Sequence, residues 1–146
     1  MKGGKKMKPR NLEEVKREVK GLRDGLGMPV DAKIRDLVIG LRRWGVKTSM
    51  SCQGHYDRHP YPWVMVDIES PNDLFNLVQI LAIWWQGKNL GHPRGPESLS
   101  WVIEAGPKAV KIMPEDKRAR NLEEMQNDAI EFGRYLQNLP EDYFKE

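Results

Sequence analysis

Apolar and polar positions recur along this chain with two periods, and the places where the period changes divide it into elements. Leu12, Val15, Val19 and Leu22 are spaced three, four and three apart, which puts them on one stripe of a helix. Asn11 precedes the stripe and Glu14 follows three residues later, so a capping box can close the first turn; Gly21 and Gly25 predict an end by about Gly25. A second helix is predicted from Asp31, a good N-cap, through Ile34, Leu37, Val38 and Leu41 to a stop at Gly45. The period then becomes two. Val46, Thr48 and Met50 should face one side of a strand, and Lys47, Ser49 and Ser51 the other. Residues 52–62, with one Gly and two Pro among polar groups, break the alternation and read as a loop. A second strand follows, with Val64, Val66 and Ile68 on one face and Trp63, Met65, Asp67 and Glu69 on the other.

Ser70 at a cap position, Pro71 at a first helical position and Asp73 near the positive end of the dipole announce a third helix, with Leu74, Leu77, Val78 and Leu81 as its expected buried stripe. Gly87 should end it. Residues 86–99 form a Gly/Pro-rich connection that carries Lys88, His92 and Arg94, long enough for a lid or binding loop and equally a solvated linker. Trp101 to Glu104 and Ala109 to Met113 read as two strands around a Gly106-Pro107 turn. Leu122, Met125, Ala129, Phe132 and Leu136 mark a final helix after Pro114. Strands that come in pairs with short connections make hairpins, because parallel neighbours need crossovers of about a dozen residues or more. The expected fold is therefore α+β: a four-stranded antiparallel sheet in two hairpin pairs, with helices packed on one face. The heptad spacing of the first and last helices suits packing together, pairing in a homodimer, or covering the domain's own core.

At 146 residues the chain suits one domain, expected over residues 11–146 behind a basic flexible tail at 1–10. The charge bears this out: Lys2, Lys5, Lys6, Lys8 and Arg10 contribute +5 to a net charge of +3, which leaves −2 for residues 11–146. A broad nucleic-acid-binding face is not expected on the domain, and contact with nucleic acid falls to the tail. The apolar stretch from Leu74 to Trp85 is too short to span a bilayer, which needs about 20 residues. A lone Cys52 and the lack of a leader-like opening place the protein in a reducing cytoplasm.

Chemistry concentrates in one place. The run Thr48-Ser49-Met50-Ser51-Cys52-Gln53-Gly54-His55-Tyr56-Asp57-Arg58-His59-Pro60-Tyr61-Pro62-Trp63 holds the only cysteine and two of the three histidines within eight residues. Gly54 lets the backbone turn so that Cys52 and His55 converge. Three readings follow. Cys52, His55 and His59 suit a divalent metal, zinc above all, with a fourth position open to water or filled by Asp57, His92 or Glu104. Cys52 also suits a nucleophile activated by His55 or His59, with Arg58 favouring the thiolate. Finally, Ser49, Ser51, Gln53, His55 and Arg58 suit a small polar ligand, with Tyr56, Tyr61 or Trp63 as a stacking surface. No GxGxxG, P-loop, GxSxG or HExxH pattern occurs, so a dinucleotide fold, a nucleotide kinase, an α/β-hydrolase and a zincin protease lack support.

The run Thr48-Ser49-Met50-Ser51-Cys52-Gln53-Gly54-His55, after a helix ending Trp44-Gly45-Val46, resembles small prokaryotic and phage-type proteins with a Thr-x-x-Ser-Cys-x-Gly-His signature, over roughly residues 31–69. It is more distantly similar to the methyltransferase family of wybutosine synthesis on tRNA, whose signature is Thr-Thr-Ser-Ser-Cys-Ser-Gly-Arg. Thr48, Ser51, Cys52 and Gly54 match, Ser49 is a conservative change, and Met50, Gln53 and His55 depart. That second resemblance implies an α+β fold and chemistry with S-adenosylmethionine or tRNA.

Overall fold

At three of the helix starts the local signals act as read. The computed structural model describes residues 7–57, 59–87, 99–117 and 120–144. In α1 (Leu12–Gly21) the Glu14 amide donates to Asn11 Oδ1 at 2.9 Å, and in α4 (Leu122–Asn138) the Glu124 amide donates to Asn121 Oδ1 at 2.8 Å. At the start of α3 (Pro71–Gly87), the Asp73 amide donates to Ser70 Oγ at 3.2 Å while Asp73 Oδ2 accepts from the Glu69 amide at 2.9 Å. The remaining helix, α2 (Ala32–Arg43), ends where Gly45 takes φ +86°, the left-handed geometry glycine adopts without penalty.

Strands β1 (Thr48–Cys52), β2 (Trp63–Val66), β3 (Trp101–Ala105) and β4 (Val110–Pro114) form one antiparallel sheet in the order β1-β2-β4-β3. Two hairpins are thus joined through a central β2–β4 pair, and the fold is α+β as the pattern predicts. Val64 and Val66 of β2, Ile112 of β4 and Trp101 of β3 bury their side chains with Ile34, Leu37 and Leu41 of α2, Leu77 and Ile80 of α3, and Phe132 and Leu136 of α4. Each such side chain contributes roughly 1.5–3 kcal/mol on leaving water. Among the described residues no helix is long and apolar enough to cross a membrane.

Of the uses open to the heptad stripes of the first and last helices, the structure shows the covering of the domain's own core: α4 packs along α2, and Val15 and Val19 of α1 turn inward. The reason is a pair of glycines: a Cβ on Gly40 would lie 2.8 Å from the Gly133 carbonyl oxygen, and one on Gly133 would overlap the Asp36–Leu37 peptide. Only two side-chain-free surfaces let the helices approach this closely. The end of α4 is held in the same way, with Arg43 donating to the Leu136 and Leu139 carbonyls and Trp44 Nε1 to Leu136, each at 2.8 Å.

In α3 the buried face is Leu77, Ile80, Leu81 and Trp84, while Leu74 and Val78 lie exposed. Trp84 decides the rotation, since its ring stacks on Phe132 at 4.8 Å and 11° and brings its side of the helix inward. In β1 the pairing with β2 shifts between Thr48 and Met50, so Thr48 is buried and Met50 is 54% exposed, not on one face together. Residues 7–10 pack on the domain: Met7 is buried, and the Arg10 amide donates to the Arg43 carbonyl. Residues 1–6 of the expected tail lie outside the described residues, as do Lys88, His92 and Arg94.

Candidate functional site

The site is built where a helix starts and a strand ends. At 1.5 Å per residue α2 spans about 18 Å, and at 3.3 Å per residue β1 spans about 17 Å. The short connection between them, residues 44–47, turns the chain back, so Cys52 at the end of β1 comes level with Asp31 at the start of α2. One atom each from Asp31, Cys52 and His55 lie within 4.8 Å of one another. Asp31 and Cys52 are half-buried and His55 is exposed.

Each of the three is positioned by backbone. Asp31 was expected to cap its own helix, but its side chain does not; Asp31 Oδ2 accepts from the Gln53 amide at 3.1 Å. The cap is supplied from β1's far end, where Gln53 Oε1 accepts from the Lys33 amide at 3.1 Å. Gln53 and Asp31 thus exchange partners across 22 positions of sequence, and Gln126 of α4 closes the arrangement by donating from Nε2 to the Gln53 carbonyl at 2.9 Å. Cys52 Sγ accepts from the Gly54 amide at 3.3 Å, which fixes the thiol against its own turn. Gly54 itself stands at φ +90°, and a Cβ there would lie 2.6 Å from Leu122 Cδ1 and 2.9 Å from the Tyr61 carbonyl. The Cys-Gln-Gly-His turn therefore requires glycine twice over, for its dihedral and for its space.

The three groups stand at a cleft of about 640 Å³ between the α1–α2 connection and β1. Ser49, Ser51 and Trp63, three of the expected ligand contacts, line it together with Arg23 and Asp24. Trp63 pairs with Cys52 across the β1–β2 ladder, and Lys111 Nζ lies 4.4 Å from its ring centroid. Arg42 also lines the cleft, but its guanidinium is engaged: Nε donates to Thr48 Oγ1 and Nη2 to the Thr48 carbonyl, both at 2.7 Å, and Nη1 pairs with Glu18 at 2.6 Å. Arg10 donates to both Glu18 oxygens, and its hydrogen bond leads the causes that hold the pKa of the Glu18 carboxyl at about 2.

Other expected site residues are placed elsewhere. His59, expected as a third ligand, does not join the group; its carbonyl accepts from the His55 amide at 3.2 Å and the Tyr61 amide at 2.7 Å, its backbone takes φ +45°, and its ring meets Tyr61 edge-on. It shapes the loop. Gln53, expected to bind ligand, is the clamp described above. Asp57 and Tyr56 are exposed around a second depression of about 420 Å³ that shares His55, and Glu104 sits on β3 beside Lys117 at 3.8 Å. Arg58 and His92 lie outside the described residues. The acid that does join, Asp31, reads in the sequence only as a helix cap.

No protein-family model, curated protein or solved structure matches this chain.

Proposed function

We propose that Asp31, Cys52 and His55 hold a divalent metal ion, zinc by the chemistry of the donors, with a fourth position open to a small polar ligand in the cleft. The observation that carries this reading is the convergence of a carboxylate, a thiol and an imidazole at the wall of one cleft. A thiolate and an imidazole are the donors zinc prefers, and a set of three protein ligands leaves the open position that distinguishes a reactive zinc from a structural one. The charges also suit: a carboxylate and a thiolate neutralise a dication, so the occupied site is neutral at a half-buried position. Tetrahedral zinc with these bond lengths keeps its donors roughly 3.5 Å apart. Groups that all lie within 4.8 Å need draw together by no more than about an ångström. Bound zinc would supply a Lewis acid and a water acidified to a pKa of about 7. Ser49 and Ser51 offer hydroxyls to the ligand, and Trp63 gives the cleft an aromatic wall.

The protein purified without chelator should carry about one zinc per chain. Cobalt in its place should give a thiolate-to-metal absorption band that Cys52→Ser abolishes, while Asp31→Asn and His55→Ala weaken binding and His59→Ala does not. Metal analysis returning none, with melting unchanged by chelator, ends the proposal. The same groups could instead make Cys52 a nucleophile paired with His55, and alkylation of the metal-free protein at pH 6 separates the two. Labelling faster than a free thiol supports a nucleophile, and ordinary labelling removes it.

A further inference from the structure

The sheet leaves one backbone pair unmet at the Cys52 end of the cleft. β1 is an edge strand, bonded to β2 on one side only. Thr48, Ser49, Met50, Ser51 and Cys52 all line the cleft, whereas a strand that showed it a face would contribute every second residue, so β1 presents its free edge. The ladder fixes which groups point there. The Asp67 amide donates to the Lys47 carbonyl at 2.8 Å, so that pair faces inward and the next, Thr48 with Val66, faces out. Counting on through the shifted register, Met50 and Cys52 bond to Met65 and Trp63, while Thr48, Ser51 and Gln53 turn their backbone groups outward. Three of these outward groups are taken within the chain: the Thr48 carbonyl accepts from Arg42 Nη2 at 2.7 Å, the Gln53 amide donates to Asp31, and the Gln53 carbonyl accepts from Gln126. Among the described residues nothing bonds to the amide or carbonyl of Ser51, the one residue of the three that keeps both. We infer that the ligand of this cleft is a short extended peptide, one residue of which pairs with Ser51 as a single added rung of the sheet and sets its neighbouring carbonyl beside Cys52.

Hydrogen-bond and charge matching select the occupant. An amide and a carbonyl carried outward by one extended residue are complementary to the carbonyl and amide of another, the hydrogen-bonded pair of an antiparallel ladder, and strand addition of this kind is a general way of holding a peptide. A full strand of a folded protein does not fit, because Arg42 closes the edge at Thr48, and Asp31 and Gln126 close it at Gln53. One rung remains. The charged lining is balanced, with Arg23 and Arg42 against Asp24 and Asp31, so a neutral peptide backbone matches it and the phosphates of a nucleotide do not. Met28 and Met50, 58% and 54% exposed, line the cleft from its two walls, and their flexible thioethers adapt to unlike neighbouring side chains. The volume of about 640 Å³ is in the range that holds a molecule of a few residues. The next peptide unit of the bound chain lies about 3.3 Å further along, level with Cys52, and offers its carbonyl to the open metal position. That last placement rests on the metal reading above, and the pairing with Ser51 does not.

Capped tripeptides, acetyl-X-X-X-amide with X as Ala, Leu, Ser, Lys or Glu, titrated into the isotope-labelled full chain with and without zinc and followed by NMR, test it. The expected result is saturable binding by at least one of them that moves the Ser51 amide resonance and slows its hydrogen exchange by about tenfold or more, in the metal-free protein as well. Methylating each peptide nitrogen in turn should weaken binding by about tenfold at one position and little at the next, because successive N–H groups of an extended chain point to opposite edges. Ser51→Pro removes the amide at an edge position where proline is tolerated, and should abolish binding with the circular dichroism unchanged. Should that variant fail to fold, the methylated peptides give the same readout on the parent chain. Zinc should tighten the binding, and equal affinity with and without it overturns the placement of the carbonyl at the metal. A chain that takes up no zinc sinks the metal reading and leaves the metal-free titration to decide this one. No peptide moving the Ser51 resonance at millimolar concentration overturns the inference, as does binding that methylation weakens at no position. Adenosine moving that resonance where the peptides do not would overturn it too, by assigning the pair to a nucleobase.

Discussion

Replacing Gly54 by alanine tests whether the turn that carries Cys52 and His55 is fixed by its backbone. At φ +90° an L-residue is strained, at about 1–2 kcal/mol by the cost of left-handed backbone. The new methyl would also lie 2.6 Å from Leu122 Cδ1 and 2.9 Å from the Tyr61 carbonyl carbon and oxygen. Leu122 can swing aside, but the Tyr61 peptide can yield only by stretching the 2.7 Å bond from its amide to the His59 carbonyl, which anchors the loop. Overpacking of this kind adds about 1–3 kcal/mol, for a total of about 2–5 kcal/mol. Urea denaturation of the metal-free protein should show that loss as a lower midpoint at unchanged slope. Metal affinity should fall as well, by about ten- to a hundredfold, because the Gly54 amide that donates to Cys52 Sγ must move with the turn. In the Gly54→Ala background, Leu122→Ala should cost about 1 kcal/mol less than it does alone, since it removes one of the two overlaps. A Gly54→Ala protein within about 0.5 kcal/mol of the parent, with parental cobalt affinity, would show that the turn is neither strained by a side chain nor needed for the site.

Gly133→Ala should cost about 3 kcal/mol or more in chemical denaturation, because its Cβ meets the Asp36–Leu37 backbone; a loss under about 1 kcal/mol would show that α2 and α4 can separate freely. The Glu18 carboxyl, lowered from 4.5 to about 2 first by its hydrogen bond from Arg10, stabilises the fold above about pH 4.5, and that contribution disappears as the pH falls toward 2. Glu18→Gln should therefore be less stable than the parent by about 1–2 kcal/mol near neutral pH, a figure reduced for the 32% exposure of the side chain, with the two stability curves converging below pH 4.5; a deficit that is constant down to pH 2 would refute the assignment. Asp128→Asn should lose about 1–3 kcal/mol and change Trp101 fluorescence, since one Asp128 oxygen accepts from Trp101 Nε1 at 2.7 Å and the other from the Leu99 amide at 3.0 Å; an unchanged spectrum would count against that contact. Removing residues 1–6 takes away Lys2, Lys5 and Lys6, which equal the chain's net +3, and should abolish any salt-sensitive affinity for nucleic acid; binding that survives at the same salt would belong to the folded face.

The elements were legible because their signals are local. Asn11 with Glu14, Asn121 with Glu124 and Ser70 with Asp73 each close a turn within four residues, and the hairpin at Gly106-Pro107 is set by its own connection. What was not legible is set by contacts between distant parts of the chain. The side of α3 that faces inward depends on Trp84 finding Phe132, 48 positions later. The helix pair α2–α4 depends on Gly40 meeting Gly133, and a glycine inside a helix reads in one sequence only as a weak spot. A shift of one residue in β1 moves Met50 from the expected inner face to the outer one, because the side-chain period of a strand is two.

The site divides along the same line. Cys52 and His55 are joined by one turn, so their spacing and Gly54 were enough to bring them together on paper. His59 has the same chemistry at a comparable spacing, and what sets it apart is a carbonyl that receives two amides and a left-handed backbone, neither of which a histidine announces. Asp31 is the opposite case, because its type and place match a helix cap so well that a second use is hidden. A signal for it does exist in the element lengths. Since α2 and β1 are nearly equal in length and joined by only four residues, the first residue of one must lie beside the last residue of the other. In a helix-turn-strand unit of this kind, an acid at the helix cap and a cysteine at the strand's end are neighbours by geometry. The acid is then free for the site when another group, here Gln53, takes over its cap.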